Sequence, residues 1–588
     1  MKALSIFFLT TLFFTAPDSM GQVIAFGGTG SDEAQGVTTD ASGNIFATGY
    51  FSGTVDFDPS DGSDAADTMT AGAGGQAGFV ASYAPDGTFR FVVPITGAGA
   101  ARPFVVAADA SGNVFVAGIF SGTVDFDGGA GTQNRTGDGD NDGFLASYTN
   151  TGGFRFAHVL GGTGFTGCFS VAAAGNGHVI VTGGFAESVD VNPGAGAQVF
   201  NSGGGFDGYV AGFDSAGNFL YGRQLADADV YNIAADASGN SYVCGYFSNA
   251  ADFDAADGPD ASDSLTSAGA QDAFLASYSP AGAFRWVIRL GGELSDFAYG
   301  VAVDPAGNSF VAGSGTEIDF DPGAGTLELL PTTGFYLASY TSSGALRFAI
   351  GEGGSGFGSA TPFYCSYRGG NVYAGGSFNG TVDLAPDDPA QGGILSETES
   401  AGFVARYAAA DGALGFARSF GAGSASVWSV AGAQSGGAVV AGGFTDTGDF
   451  DPGIGAVEKT SAGEEDGYLL NLDNSGNYPG GASGSLVVTN TNDSGAGSLR
   501  EAIATANATP TPDTVTFAIP GTGPHVTSPT SPLPVISTPV TLDGFSQPGS
   551  SGGSFTAHAA RRAFRRNFGG HEFDTLRSLK NAVGAVLL

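Results

Sequence analysis

The sequence predicts an all-β protein assembled from seven copies of one four-stranded unit. Three observations carry that prediction: a short motif returning at near-constant spacing, strand-length runs with period-2 apolar alternation, and a composition rich in turn formers and aromatics. Of 588 residues, 101 are Gly and 48 are Phe, while only 13% are charged. Many glycines beside many aromatics suit short strands joined by tight turns and do not suit disorder.

The motif first appears as Asp40-Ala-Ser-Gly-Asn44 followed by the apolar run to Phe51. It returns at Asp109–Phe120, Asp236–Phe247 and Asp304–Gly313, with worn copies at Gly177–Phe185, Gly370–Phe378 and Gly436–Phe444. Its aligned glycines (Gly43, Gly112, Gly177, Gly239, Gly307, Gly370, Gly436) lie between 62 residues (Gly177 to Gly239) and 69 residues (Gly43 to Gly112) apart. A repeat of this length marks a stacked array of supersecondary units.

Two further pieces keep their order in each unit. An Asp-Phe-Asp turn stands at Asp56–Asp58, Asp125–Asp127, Asp252–Asp254, Asp319–Asp321 and Asp449–Asp451, and is degraded at Asp190–Asn192 and Asp383–Ala385. A strand such as Phe79-Val-Ala-Ser-Tyr83 or Phe274-Leu-Ala-Ser-Tyr278 follows, with Phe, Ala and Tyr on one face. A Gly turn then leads to a fourth strand, as in Phe89-Arg-Phe91. Four strands apolar on both faces must stack on neighbours, as blades do around an axis, so the predicted fold is a seven-bladed β-propeller over 22–480. The strand Val23–Phe26 with Gly27-Gly-Thr-Gly30 is an orphan copy of a piece that unit seven lacks, which predicts a ring closed by the N-terminal strand.

The succession Asp-x-x-Gly-Asn, Asp-Phe-Asp-Pro-Gly (intact at Asp319–Gly323 and Asp449–Gly453) and Phe-Val-Ala-Ser-Tyr resembles the SBBP repeat of bacterial seven-bladed β-propellers. The resemblance implies an exported bacterial protein and assigns no reaction.

Beyond the repeats, Leu486–Gly495 leads into Ser498-Leu-Arg-Glu-Ala-Ile503, where Ser498 and Glu501 predict a capping box and Leu499, Ile503 and Ala506 share a helix face. Short strands are expected at Thr514–Ile519, Val535–Ile536 and Val540–Leu542. This segment (485–550) resembles the entry helix and first coils of right-handed parallel β-helix proteins marked by a Cys-Ser-Leu-Arg-Glu-Ala-Ile signature, with Gly497 in place of the cysteine. Residues 551–588 carry Arg561, Arg562, Arg565, Arg566, Arg577 and Lys580 and read as a basic tail, disordered or out of frame. At the other end, Lys2 and the apolar run Leu4–Ala16 read as a signal peptide over 1–21, placing the mature protein outside the cell or on its surface.

Twenty Lys+Arg against 57 Asp+Glu give a net charge of −37. Such a chain repels phosphate backbones and anionic lipid, so nucleic acid and the membrane surface are excluded as partners, and no apolar stretch after the signal peptide is long enough for membrane insertion. Divalent cations, neutral glycans and basic protein surfaces are the partners left, and a monomer is expected. Cys168, Cys244 and Cys365 are too few and too distant for a disulfide framework and read as small buried hydrophobes. The five histidines lack ligand spacing, no phosphate-binding loop occurs, and no catalytic or cofactor-binding residue is assigned. Trp286 and Trp428 read as core or inter-blade packing.

One local cluster points to an ion. Asp138, Asp140 and Asp142 alternate ahead of Gly143, a pattern suited to calcium and resembling Asp-x-Asp-x-Asp-Gly loops of calcium-binding propellers and EF-hands. It departs from both, with Ala146 and Thr149 where those loops want acids, and an acidic hairpin turn is the competing reading. The expected function is a non-catalytic, adhesin-like binding or scaffold module for a protein or glycan ligand. The alternative is an extracellular carbohydrate-active enzyme. An enzyme would gather unit-specific His, Arg, Tyr or carboxylates at one axial mouth, with units three and six the places to look; a scaffold would show a narrow, glycine-lined channel.

Overall fold

The computed structural model describes residues 23–521, with interruptions at 61–65, 130, 139, 195, 257–261, 322–327, 330–333, 353–357, 387–392, 453–455, 480–485, 494, 496 and 508–512, together with 525, 533–534, 540–543 and 555–557. The expected signal peptide at 1–21, the strand at Val535–Ile536 and the basic residues from Arg561 onward lie outside the described residues.

Each unit folds as an antiparallel sheet of four strands. Unit one is Glu33–Thr39, Ile45–Ser52, Gln76–Tyr83 and Phe89–Gly97; unit two is Ala100–Ala108, Val114–Ser121, Asp142–Tyr148 and Phe154–Leu160. Unit three is Thr166–Ala173, His178–Asp190, Val199–Asp214 and the first half of the long strand Phe219–Ala235. That strand bends into unit four, whose other members are Ser241–Asp252, Asp272–Tyr278 and Phe284–Leu290. Units five and six begin at Phe297–Val303 and Ser359–Arg368. Unit seven contains Ala425–Gly432, Ala438–Phe444 and Asp466–Asn471, and its fourth strand is Val23–Phe26, paired antiparallel with Gly467–Leu470. The first strand of each unit packs on the first strand of the next, and Ala425–Gly432 packs on Glu33–Thr39.

The repeated residues explain why the unit folds. The turn aspartate Asp40 accepts the N–H groups of Ser42 and Asn44 on one oxygen and the Asn44 amide on the other, and Gly43 takes the left-handed conformation the turn requires. Asp109, Asp236 and Asp304 repeat these bonds. In the Asp-Phe-Asp turn, Asp125 accepts the N–H of Asp127 at 3.0 Å and of Gln133 at 2.7 Å. Phe126 is fully buried, and its carbonyl accepts the Tyr148 hydroxyl at 2.9 Å. Tyr83, Tyr278 and Tyr340 do the same to Phe57, Phe253 and Phe320.

Arginines then tie unit to unit. Arg90 donates to Ser82 on its own sheet at 2.6 Å and to the Asn150 carbonyl of the next at 2.9 Å. Arg155, Arg285 and Arg347 repeat this clamp with Ser215, Ser342 and Ala409.

In the C-terminal segment, the helix Leu499–Asn507 begins where the Ser498 hydroxyl accepts the Glu501 N–H at 3.2 Å. The Glu501 carboxylate accepts the N–H of Gly497, one residue before the partner a capping box predicts. Leu499, Ile503 and Ala506 bury with Val515 and Phe517. Asp513–Phe517 pairs in parallel with Val487–Val488 and with Val540–Asp543.

Candidate binding site at the axial mouth

Every first strand slips register at one residue, a β-bulge against the second strand of its unit. A bulge leaves one residue outside the ladder and re-aims its side chain. That residue is Gln35 in unit one, then Phe104, Phe169, Tyr231 and Tyr299, and finally Phe363 and Trp428. Six of the seven are aromatic, and all are partly or largely solvent-exposed, six of them between buried neighbours. Because the strands carrying them are the innermost, their rings meet across unit boundaries. Tyr231 and Tyr299 lie 5.4 Å apart by ring centroids, Tyr299 and Phe363 6.3 Å, Phe363 and Trp428 5.2 Å, and Phe104 and Phe169 6.4 Å. Tyr246 and Phe297 extend this wall, 5.2 Å from each other. Tyr231 is 37% exposed.

The remaining sector is polar and is built from units seven, one and two. Gln35 donates its amide to Glu33, and the Glu465 carboxyl is hydrogen-bonded to Glu33. Gly443 leaves room for this pair, since a Cβ there would stand 2.4 Å from Glu465 Oε1 and 3.2 Å from Glu33 Cγ. Burial, the hydrogen bond to Glu33 and its charge push Glu465 up to about 8. Beside them the Arg102 guanidinium carbon lies 4.3 Å from the Tyr50 ring centroid. Burial raises the Tyr50 hydroxyl to about 12. Two buried donors here have no hydrogen-bond partner: Arg102 Nε and Trp428 Nε1. Across the mouth Asp229, raised by burial, is hydrogen-bonded to Tyr246.

This arrangement corrects several expectations. Trp428 is an axial residue, whereas Trp286 packs between units, 6.0 Å from Tyr242, with its N–H on the Ser342 carbonyl at 3.1 Å. The axis is aromatic-walled, not glycine-lined. Polar residues specific to single units do converge, but in units seven, one and two, not in three and six. A signal for the ring was present: each bulge residue stands five positions before the first residue of its turn, as Gln35 before Asp40, Tyr231 before Asp236 and Trp428 before Ala433.

The calcium candidates have another arrangement. Asp138 and Asp140 are exposed, while Asp142 is buried and accepts the Asp138 N–H at 2.7 Å. Asp272 and Asp466 make the equivalent bond to Ala268 and Ala462, each at 2.8 Å, so Asp142 holds a hairpin corner shared by units two, four and seven. Among the described residues no group of three or more His, Cys, Asp or Glu is placed to hold a metal ion. His158 is stacked between Phe156 and Phe213 and bonded to the Gly217 carbonyl at 2.7 Å; burial lowers its pKa. The three cysteines are free and buried. Cavities of about 250 and 320 Å³ lie away from the axis, beside the turns at Gly43 and Gly217, and are lined by turn residues.

The beta-propeller repeat family (SBBP) matches residues 285–321, which span the Arg285 clamp through the Asp319–Asp321 turn. No curated protein matches the chain. Among solved structures, the Neurospora crassa Pan2 WD40 domain is 8% identical, covering 77% of this chain and 97% of its own, with a TM-score of 0.33. The Dos1 propeller is 7% identical over 77% of this chain and 95% of its own, with a TM-score of 0.36. The polysaccharide lyase Uly1 is 11% identical over 79% of this chain and 94% of its own, with a TM-score of 0.37. The chain thus carries a β-propeller repeat within an all-β, propeller-like fold.

Proposed function

We propose that the chain is an exported, non-catalytic binding module, a seven-bladed propeller closed by Val23–Phe26, that takes a glycan at its axial mouth. The C-terminal segment is read as the first coils of a β-helix appended to that module. The observation that carries the glycan reading is the run of aromatic bulge residues from Phe104 to Trp428 beside the Arg102 guanidinium, which stacks on Tyr50. Sugars present apolar C–H faces edged by hydroxyls, and such ligands need flat apolar surfaces with a few fixed polar groups. The mouth offers both, with the rings beside the Asp229 carboxylate and the Arg102 guanidinium. Binding of the secreted chain to a glycan array tests the reading. Signals lost in Tyr231→Ala and Trp428→Ala, and kept in Trp286→Phe, support it; signals indifferent to the axial substitutions reject it.

Two observations favour the second reading, a carbohydrate-active enzyme: unit-specific polar residues converge at the axis, Glu33, Arg102 and Glu465 among them, and one of them is held protonated. Glu465, held up to about 8, keeps a proton at neutral pH beside a second carboxyl, as a general acid must. Product release from a bound glycan, abolished in Glu465→Gln without loss of binding, would establish that reading in place of the first.

A further inference from the structure

Arg102 differs from every other described arginine. Each of the others donates to a carbonyl, a hydroxyl or a carboxylate, as Arg90 to Ser82 and Asn150, Arg135 to Ala157, Arg223 to Gly282, Arg289 to Thr266, Arg368 to Asp40 and Arg418 to Ser475. Those bonds tie strand to strand or unit to unit. Arg102 makes none: its Nε is buried and unpartnered, and its guanidinium lies over the face of Tyr50. Nor is it paired with a carboxylate, since the ion pairs among the described residues are Arg289–Asp272 and Arg500–Asp493. The nearby acid Glu33 is already engaged by Gln35 and by Glu465.

A guanidinium without a counter-ion is costly where it is partly desolvated, and its planar fork matches a carboxylate better than a hydroxyl. The position matters as much as the charge. Arg102 lies on the innermost strand of unit two and Trp428 on that of unit seven, on either side of Gln35 in unit one, with the aromatic wall beginning at both. A carboxylate meeting the Arg102 guanidinium would receive charge-assisted bonds from it, while its sugar ring reached the aromatics of the inner strands. We infer that the glycan taken at the axial mouth is acidic, a chain containing uronic acids, with one carboxylate anchored by Arg102. This rests on the glycan reading above and departs from the preference for neutral partners that a net charge of −37 implies. The long-range field of the chain is screened within about 10 Å at 0.1 M salt, whereas a bidentate contact acts at bonding distance.

The test compares an oligogalacturonate with the same oligomer after carboxyl reduction, titrated calorimetrically into the full chain at 0.1 M salt. The acidic oligomer is expected to bind about tenfold or more tightly than the reduced one, within the range of one charge-assisted contact. Arg102→Gln should erase the difference and leave the affinity for the reduced oligomer in place, and Arg102→Lys should retain part of it. Circular dichroism of each variant checks that it is folded. Equal binding of both oligomers, or a preference that survives in Arg102→Gln, overturns the acidic-ligand inference alone. Binding of neither oligomer overturns it together with the glycan reading.

Discussion

The guanidinium of Arg102 rests 4.3 Å from the ring centroid of Tyr50, and these residues belong to the first strand of one unit and the second strand of its neighbour. The stack fixes a long, otherwise mobile cation at the rim of the axis without consuming any of its N–H donors. Removing the ring should release that cation. Tyr50→Leu is expected to cost about 0.5–1 kcal/mol of stability, the scale of a partly exposed cation–π contact, and to weaken carboxylate recognition while sparing the Trp428 side of the mouth. Chemical denaturation alongside the oligouronate titration measures both effects.

Glu465 sets a pH dependence. Its folded pKa is raised from 4.5 to about 8, so the folded state holds a proton that the unfolded chain gives up. The resulting stability is fully present below pH 4.5 and is lost as pH rises towards 8. Asp32 and Asp296, raised by burial to about 6, and Glu352, raised by burial to about 7, act in the same direction. Melting temperatures should therefore decline between pH 5 and 8, and Glu465→Gln should flatten the upper part of that decline. A melting temperature that climbs across this window would contradict the assignment.

Asp142 is predicted to be a structural cap. Asp142→Ala strands the N–H of Asp138 and is expected to destabilise the chain by about 2 kcal/mol, the cost of losing a bond to a charged acceptor. The loss should be the same in excess calcium and in chelator. Thermal unfolding in the two buffers, repeated with Asp138→Asn and Asp140→Asn, reads this directly.

The hydroxyl of Tyr148 satisfies a carbonyl in the buried turn at Phe126. Tyr148→Phe leaves that carbonyl without its partner and should cost about 1–3 kcal/mol. A substitution measured as neutral would mean that the turn is held by the packing of Phe126 alone.

Left-handed backbone recurs ten residues after the turn glycine of each unit, as Gly53 after Gly43: it is Gly53, Gly122 and Gly380 in units one, two and six, but Glu187, Asn249, Glu317 and Asp446 elsewhere. At Glu317, φ is 57° and the side chain is exposed. Glu317→Gly should relieve roughly 1 kcal/mol of backbone strain, part of which the greater freedom of glycine in the unfolded chain returns. A small rise in melting temperature is the expected outcome.

The unit was readable in the sequence because its signals are local. Asp40, Gly43 and Asn44 make a turn within five residues, and the alternation of Phe79, Ala81 and Tyr83 fixes which face is buried. The orphan strand at Val23 was readable because a repeat exposes a missing copy, and that strand does pair with Gly467–Leu470. The axial site was not readable for two physical reasons. A bulge inserts one residue that breaks period-2 alternation, so Tyr231 or Trp428 looks like one more apolar position in a strand until the register is known. The polar sector depends on partners far apart in sequence, Glu33 with Glu465 and Tyr50 with Arg102, which no local pattern joins. The aspartates at 138–142 stand out as a dense local run, whereas the cap that Asp142 shares with Asp272 and Asp466 shows only once the register is known.

The most direct test of the axial site uses the chain's own fluorophore. Trp286 and Trp428 are the two tryptophans, and Trp286→Phe leaves Trp428 as the sole reporter at the mouth. Titrating this variant with an oligouronate should shift and saturate the Trp428 emission, with the same dissociation constant that calorimetry returns for the unmodified chain. Binding detected by calorimetry with no change in Trp428 emission would place the ligand elsewhere on the molecule and contradict the site.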